Sequence, residues 1–272
     1  MTSTTKNLVG GVATKQEGGH ISKPSSQGAL VASDVTFAYG MGPAVVRNVS
    51  LTIPEGAAIG IVGESGSGKS TLASLLVGSL LATTGTVTVR GRPWSAVRRR
   101  DPLRRAVQMV FQNPYSALNP RLSALSTVAE VYQCCGGATR ADAAERARNL
   151  LERVGIRGAA LDKRAGDLSG GQCQRIGIAR ALAANPTVIV ADEPTSALDV
   201  SVQAQILNLL NDLRHEQGVA LVLISHDLNV VSYLTDSAIV MEKGVIVEEG
   251  PIMHLLQSPT HPYTRSLIAS IL

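Results

Sequence analysis

The sequence predicts an α/β fold: a mostly parallel sheet flanked by helices and interrupted by one helical insert. Three observations carry that reading. Beyond residue 183, β-type and helical runs alternate, the pattern of βαβ units. AAIGIV, residues 57–62, is continuously apolar rather than alternating, as suits a central strand covered on both faces. Between Pro120 and Leu168 the texture turns Ala-, Arg- and Leu-rich, which marks a helical lobe.

Each element follows in order. Residues 1–28, rich in Gly, Ser, Thr, Lys and Gln with almost no apolar pattern, read as a flexible tail. From Ala29 to about Arg92 come the strand runs ALVASDVTFAY, NVSLTI, AAIGIV and TVTVR, separated by Gly and Pro turns. A helical run, LASLLVGSLL (72–81), sits between the last two, and VQMVF (107–111) is a further strand. ATRADAAERARNLLERVG is the clearest helix, with Thr139 as N-cap and Gly155 as stop. IGIARALAA is helical. TVIVADE is a strand, and a helix then carries Val202, Ile206, Leu209, Leu210 and Leu213 at helical spacing. VALVLISH and SAIVM close the alternation, and no internal repeat is present.

Composition excludes several classes of function. The chain has 272 residues, 44% of them apolar, enough to bury a core without disulfides or metals. Its net charge of +4 invites a nucleic-acid partner, but the distribution argues against one. The first 28 residues hold +2 and the stretch Arg90–Arg105, with seven arginines against Asp101, holds +6, so the remainder is net acidic. Only 3% of residues are aromatic, leaving few platforms for stacking bases; no nucleic-acid partner is expected. No apolar run reaches the roughly 18–20 residues that cross a bilayer. The N-terminus lacks the charged start and apolar core of a secretory signal, so a cytoplasmic location is expected. Cys134, Cys135 and Cys173 form no CxxC pair and read as indifferent thiols.

Chemistry begins directly after AAIGIV. GESGSGKST, residues Gly63, Glu64, Ser65, Gly66, Ser67, Gly68, Lys69, Ser70 and Thr71, fits G-x-x-x-x-G-K-[ST] between a strand and a helix. Glycines let backbone N–H groups converge on anionic oxygens and the helix start adds positive dipole character. Lys69 then reaches the terminal phosphates, the Ser70 hydroxyl suits Mg²⁺, and Thr71 adds an α-phosphate contact. In TVIVADEP, Asp192 and Glu193 end a buried strand, where they face the ligand crevice of an α/β sheet. Asp192 is placed to hold Mg²⁺ through water and Glu193 to polarise the attacking water.

Between these two elements lies LSGGQCQR. Its Ser169, Gly170, Gly171 and Gln172, together with Gln112 in VFQNP, the SALD run ending at Asp199, and His226 in LISHD, occur in the order found in ATP-binding cassette proteins. Tyr39, 24 residues before Gly63, is placed like that family's adenine-stacking aromatic. From Ala29 onward the chain resembles the ATP-binding cassette (ABC) family. The resemblance implies a P-loop NTPase (RecA-like) core with an antiparallel β subdomain and an inserted α-helical subdomain. On that scheme residues 29–272 are one ATP-binding unit: 29–112 the β subdomain and first part of the core, 113–184 the helical subdomain with the signature, 185–250 the second part of the core, and 251–272 a C-terminal segment.

The resemblance also implies roles. Ser169 to Gln172 form a second anion cradle that covers the γ-phosphate held by another cassette in a head-to-tail dimer. Gln112 senses Mg²⁺ and γ-phosphate, His226 contacts the γ-phosphate and orients water with Glu193, and Asp199 crosses the interface. Read singly, Gln112 is a strand-end cap, His226 a partner of Ser225 or Asp227, and Asp199 the N-cap of the next helix.

VFQNPYSALNPR and GPIMHLLQSPTHPYTRSLI are similar to segments of cassettes serving bacterial peptide and nickel importers. This implies an ATPase subunit, using ATP and Mg²⁺, at the cytoplasmic face of the membrane. Its partners are separate transmembrane permease subunits, a second cassette (a related chain or a second copy), and, through the complex, an extracytoplasmic substrate-binding protein. The alternative is a non-transport cassette of DNA repair or translation. Against it stand the 57-residue step from Gln112 to Ser169, too short for a coiled-coil insert, and the presence of one cassette rather than two. A GTPase would need a guanine-reading NKxD, which is missing.

Departures are Asn113, where Asp is common, and Cys173, where a larger side chain is usual. No C-terminal cysteine cluster is present, so no iron–sulfur centre is expected. The arginines of 90–105 read as a solvated face, or as groups meeting lipid headgroups or acidic residues of the channel subunits.

Overall fold

The computed structural model describes residues 28–270. The expected tail lies outside them apart from Gly28. The strands are β1 (Leu30–Ala38), β2 (Ala44–Ile53), β3 (Ala58–Val62), β4 (Thr84–Val89), β5 (Arg92–Pro93), β6 (Val107–Val110), β7 (Val188–Asp192), β8 (Ala220–Ile224), β9 (Ser237–Glu242) and β10 (Val245–Pro251). The helices are α1 (Lys69–Leu76), α2 (Pro114–Ala117), α3 (Ala124–Gly136), α4 (Arg140–Arg153), α5 (Gly170–Ala183), α6 (Val200–Gln217), α7 (Leu228–Leu234), α8 (Ile252–Gln257) and α9 (Pro262–Ala269).

Two sheets organise the chain. An antiparallel sheet has the order β2-β1-β4-β5. The core sheet has the order β10-β9-β3-β8-β7-β6, parallel from β9 to β6, with β10 antiparallel at one edge. Every residue of β3, β7 and β8 is buried. Period-2 alternation explains why these strands lack a polar face. In β7, Ile189 and Ala191 join a cluster under the helical insert, while Val188 and Val190 join one under α1 and the antiparallel sheet. Burying each such Val or Ile stabilises the fold by about 1.5–3 kcal/mol. The antiparallel sheet is tied to the core at the β9–β10 turn, where the Arg47 N–H donates to Gly244 O at 2.7 Å and its Nε to Lys243 O at 3.2 Å.

The insert contains α2 to α5. Thr139 caps α4 by accepting from Asp142 N at 3.3 Å, and Gly155, left-handed at φ 84°, ends it. Asn113 caps α2, accepting from Tyr115 N at 3.0 Å and Ser116 N at 3.3 Å, so its departure from Asp keeps the capping acceptor.

The helix read as running to Leu81 ends at Leu76 instead. Trp94, buried, donates its indole N–H to Leu76 O at 2.9 Å, taking a carbonyl that a longer helix would use. Gly78 turns left-handed at φ 71°, and a Cβ there would stand 2.6 Å from the Trp94 ring. A contact 18 residues away decides this boundary.

The arginine stretch is only partly a solvated face. Arg104 lies 5.5 Å over the Trp94 ring and donates to Gly78 O and Val97 O, both at 3.3 Å. Arg92 pairs with Asp101 at 2.8 Å and Arg105 donates to Cys135 O, whereas Arg98, Arg99 and Arg100 are exposed. Cys173 is buried, donates to Ala165 O at 3.4 Å, and has its thiol pKa pushed up by that burial. Among the described residues, no helix is long and apolar enough to cross a membrane.

Candidate nucleotide site

The loops that follow β3, β6, β7 and β8 at their C-terminal ends carry, in turn, Gly63–Gly68, Gln112, Glu193 and His226. Parallel pairing makes those four ends neighbours, which is why residues up to 163 positions apart share one crevice.

Lys69 opens α1 and folds back over its own loop. Its Nζ donates to Gly63 O and Glu64 O, both at 2.7 Å, and to Ser67 Oγ at 3.4 Å. Burial pulls its pKa below the usual lysine value, while Glu193, Asp192 and Glu64 act against that shift. Ser70 donates to Asp192 Oδ1 at 3.3 Å. Burial raises the Asp192 pKa; the Ser70 hydroxyl and Lys69 oppose the rise and Glu193 adds to it. Tyr39 lies just past β1, more than half exposed, edge-on to Phe37 at 4.8 Å, with its hydroxyl 3.3 Å from that of Thr71. The Ser70–Asp192 pair offers two hard oxygen donors side by side, a set that suits Mg²⁺ completed by phosphate oxygens.

Glu193 carries the tightest arrangement. Its backbone is left-handed at φ 43°, a conformation rare outside glycine, and its N–H is fixed to Ile224 O at 2.9 Å. Gln112 Nε2 donates to Glu193 Oε2 at 2.8 Å, and His226 Nδ1 stands 3.0 Å from Oε1. A carboxylate only accepts, so that contact puts the His226 hydrogen on Nδ1. Gln112 also reaches Ser196 Oγ at 3.3 Å. Neither Gln112 nor His226 takes the partner its simplest reading assigns: both converge on one carboxylate. Gly63, Glu64, Ser65, Glu193 and His226, with Leu267 and Ser270 of the C-terminal segment, line a cavity of about 520 Å³.

The signature residues stand apart from this group. Ser169 Oγ accepts from Gln172 N at 3.3 Å and Gln172 Oε1 accepts from Ser169 N at 3.0 Å, a capping box at the start of α5. This uses the acceptor side of the Ser169 hydroxyl, and the first-turn N–H groups of Gly170 and Gly171 lie outside the box. A Cβ on Gly171 would come within 2.5 Å of Val202 Cγ1 on α6, so glycine allows the close approach. Among the described residues no hydrogen bond joins Ser169–Gln172 to the phosphate loop. Asp199 occupies the N-cap position of α6, yet its side chain makes no capping hydrogen bond.

Two contacts were not legible in the sequence. Gly244 N donates to Ser67 O at 2.9 Å, and Glu64 N donates to the hydroxyl of Tyr263 at 3.0 Å. The only sequence signal for Tyr263 was its place in the HPYT segment.

A phosphate loop after β3 of a parallel sheet, an acidic pair at the end of β7, one strand removed across β8, and a capped helix in an inserted lobe define a nucleotide-binding cassette. Residues 46–196 match the ABC transporter family model, and the chain belongs to that family. It is 48% identical over 227 residues to a probable peptide ABC transporter ATP-binding protein of Sinorhizobium fredii, covering 83% of this chain and 64% of that protein. A putative peptide import ATP-binding protein of Brucella abortus is 45% identical over 83% of this chain and 69% of its own length. The oligopeptide transport ATP-binding protein OppF of Lactococcus lactis is 44% identical, at 83% and 72%. The chain thus spans about two thirds of the length of these relatives. Among solved structures it resembles the dimeric, post-hydrolysis ATP-binding cassette MJ0796 bound to ADP and Pi, with a TM-score of 0.75, 33% identity, and coverage of 82% of this chain and 98% of that one. It also resembles cbiO1 of Clostridium perfringens, part of a cbiONQ transporter complex, with a TM-score of 0.74, 27% identity, and coverage of 85% and 92%.

Proposed function

We propose that this chain binds and hydrolyses ATP as the cassette subunit of an importer for peptides, working at the cytoplasmic face of the membrane against separate permease subunits that an extracytoplasmic binding protein supplies. The observation that carries the ATPase reading is the Glu193 carboxylate held by Gln112 and His226 beside the Ser70–Asp192 pair. Peptide as cargo is supported by the names of the relatives.

Lys69 exchanges the loop carbonyls for β- and γ-phosphate oxygens, and the loop N–H groups cradle the same anion. Tyr39 stacks on the base. Ser70 and Asp192 would hold Mg²⁺, which when bound supplies neutralisation of the charge developing on the phosphates. Glu193 accepts a proton from the attacking water, and two hydrogen bonds to its carboxylate fix where that acceptor points. Two facts support a second cassette packed head to tail: among the described residues the exposed Ser169 at the start of α5 makes no hydrogen bond to this chain's own phosphate loop, and the Asp199 side chain makes no capping hydrogen bond. ATP favours the closed pair and ADP the open one, and that difference in binding moves the helical lobes and the permease helices attached to them.

Glu193→Gln tests the reading. ATP binding is retained, hydrolysis falls by orders of magnitude, and an ATP-bound dimer accumulates. Near-normal phosphate release overturns the assignment.

A further inference from the structure

The HPYT segment contacts the phosphate loop, and each of its residues has a physical part in that contact. His261 N-caps α9, its Nδ1 accepting from Tyr263 N at 3.2 Å. Pro262 takes the first helical position, where a missing N–H costs nothing. Thr264 is buried, and so is Leu267 one turn further on. The segment is anchored upstream on the core sheet: Glu248 of β10 accepts from Thr260 N and Thr260 Oγ1, both at 2.7 Å, and from His261 N at 3.1 Å. Arg265 closes the turn by donating to Pro259 O at 3.1 Å and Thr260 O at 2.8 Å. This platform carries the Tyr263 hydroxyl to the N–H of Glu64, 3.0 Å away.

We infer that Tyr263 is a positioning residue for the nucleotide site, bracing the first turn of the phosphate loop so that its remaining N–H groups are pre-arranged for ATP. The stretch from Glu64 to Ser67 is gripped from outside the loop at both ends, Glu64 N by Tyr263 and Ser67 O by Gly244 N. Between these grips lie Ser65 and Gly66, in the stretch that must hold its curvature for the cradle to close. A loop fixed before binding spends less of its interaction energy on ordering. Leu267 and Ser270 of the same segment line the cavity shared by Gly63–Ser65, Glu193 and His226, which places the C-terminal helix beside the terminal-phosphate side of the site. The inference rests on Gly63–Thr71 being the ATP loop.

Tyr263→Phe in the full chain keeps the ring and removes the acceptor. Steady-state ATPase assays and equilibrium ATP titration are expected to show KM and Kd raised about fivefold, the fold-change of one typical hydrogen bond, with kcat within about twofold. Hydrogen exchange in a peptide covering 63–68 rises, while one covering β7 is unchanged. Should the tyrosine variant fold poorly, Glu64→Pro deletes the donor of the same bond and is expected to raise KM and Kd likewise; where both variants fold, adding Tyr263→Phe to Glu64→Pro changes nothing more. Unchanged KM in Tyr263→Phe, or additive effects in the double variant, overturns the inference. Lys69→Ala tests the underlying reading separately: if it retains full ATP affinity the loop assignment fails, whereas loss of binding there with an inert Tyr263→Phe removes only the brace.

Discussion

Replacing His226 with Ala separates two ways in which that histidine could serve hydrolysis. It contacts Glu193 Oε1 at 3.0 Å, and Gln112 holds the other oxygen at 2.8 Å. The backbone of Glu193 stays pinned to Ile224 O, so the substitution frees only the side-chain torsions of the carboxylate. The His226 side chain is 62% exposed, which puts one charge-assisted hydrogen bond at the low end of its range, about 1.5 kcal/mol. If the whole of that is lost from alignment in the transition state, kcat falls about tenfold. Lys69 and the loop N–H groups are untouched, so ATP affinity stays within about threefold. The assay is phosphate release under saturating ATP, with Kd from equilibrium titration, in wild type, His226→Ala, Glu193→Gln and the double variant. Acting through Glu193, His226→Ala lowers the residual turnover of Glu193→Gln by less than twofold. A full tenfold further loss in that background refutes the positioning argument and makes His226 a direct phosphate contact.

Three further outcomes follow from the same geometry. Asp192→Asn abolishes magnesium-dependent turnover, yet without nucleotide the variant melts at or above wild type at neutral pH. Burial raises the pKa of Asp192, so its ionised form costs stability as pH rises through that value; the gap in melting temperature therefore closes on acidification, and a variant that melts lower at neutral pH contradicts this. Burial pushes the Glu248 carboxyl up, but donors from the segment around Thr260 and His261 outweigh that and hold it at about 2. A depressed pKa confers stability that is full above the ordinary carboxylate value, about 4.3, and is lost as pH falls toward 2. Limited proteolysis should accordingly release the C-terminal segment over that window in wild type, and already at neutral pH in Glu248→Ala. Finally, Ser169→Arg in one member of a mixed dimer disables the site on its partner; undiminished hydrolysis per intact loop in such dimers removes the head-to-tail arrangement.

Some of this site is local chemistry, and the sequence by itself determined that part. Gly63–Thr71 needs only a strand before it and a helix after it, and both are written in nearby residues. The buried faces of β3, β7 and β8 follow from uninterrupted apolar runs, and the cap of α4 from Thr139 three residues before Asp142. The order of the motifs was enough to suggest the family. Tertiary structure decided the rest, because those contacts depend on sheet order rather than spacing. The end of α1 is set by Trp94, 18 residues on, and the convergence of Gln112 and His226 on Glu193 by parallel pairing across β6, β7 and β8. Tyr263 meets Glu64 across 199 residues because β10 anchors the C-terminal segment beside β9, which itself pairs with β3, the strand leading into the loop. No periodicity or propensity encodes such a meeting; it exists only once the strands have chosen their neighbours.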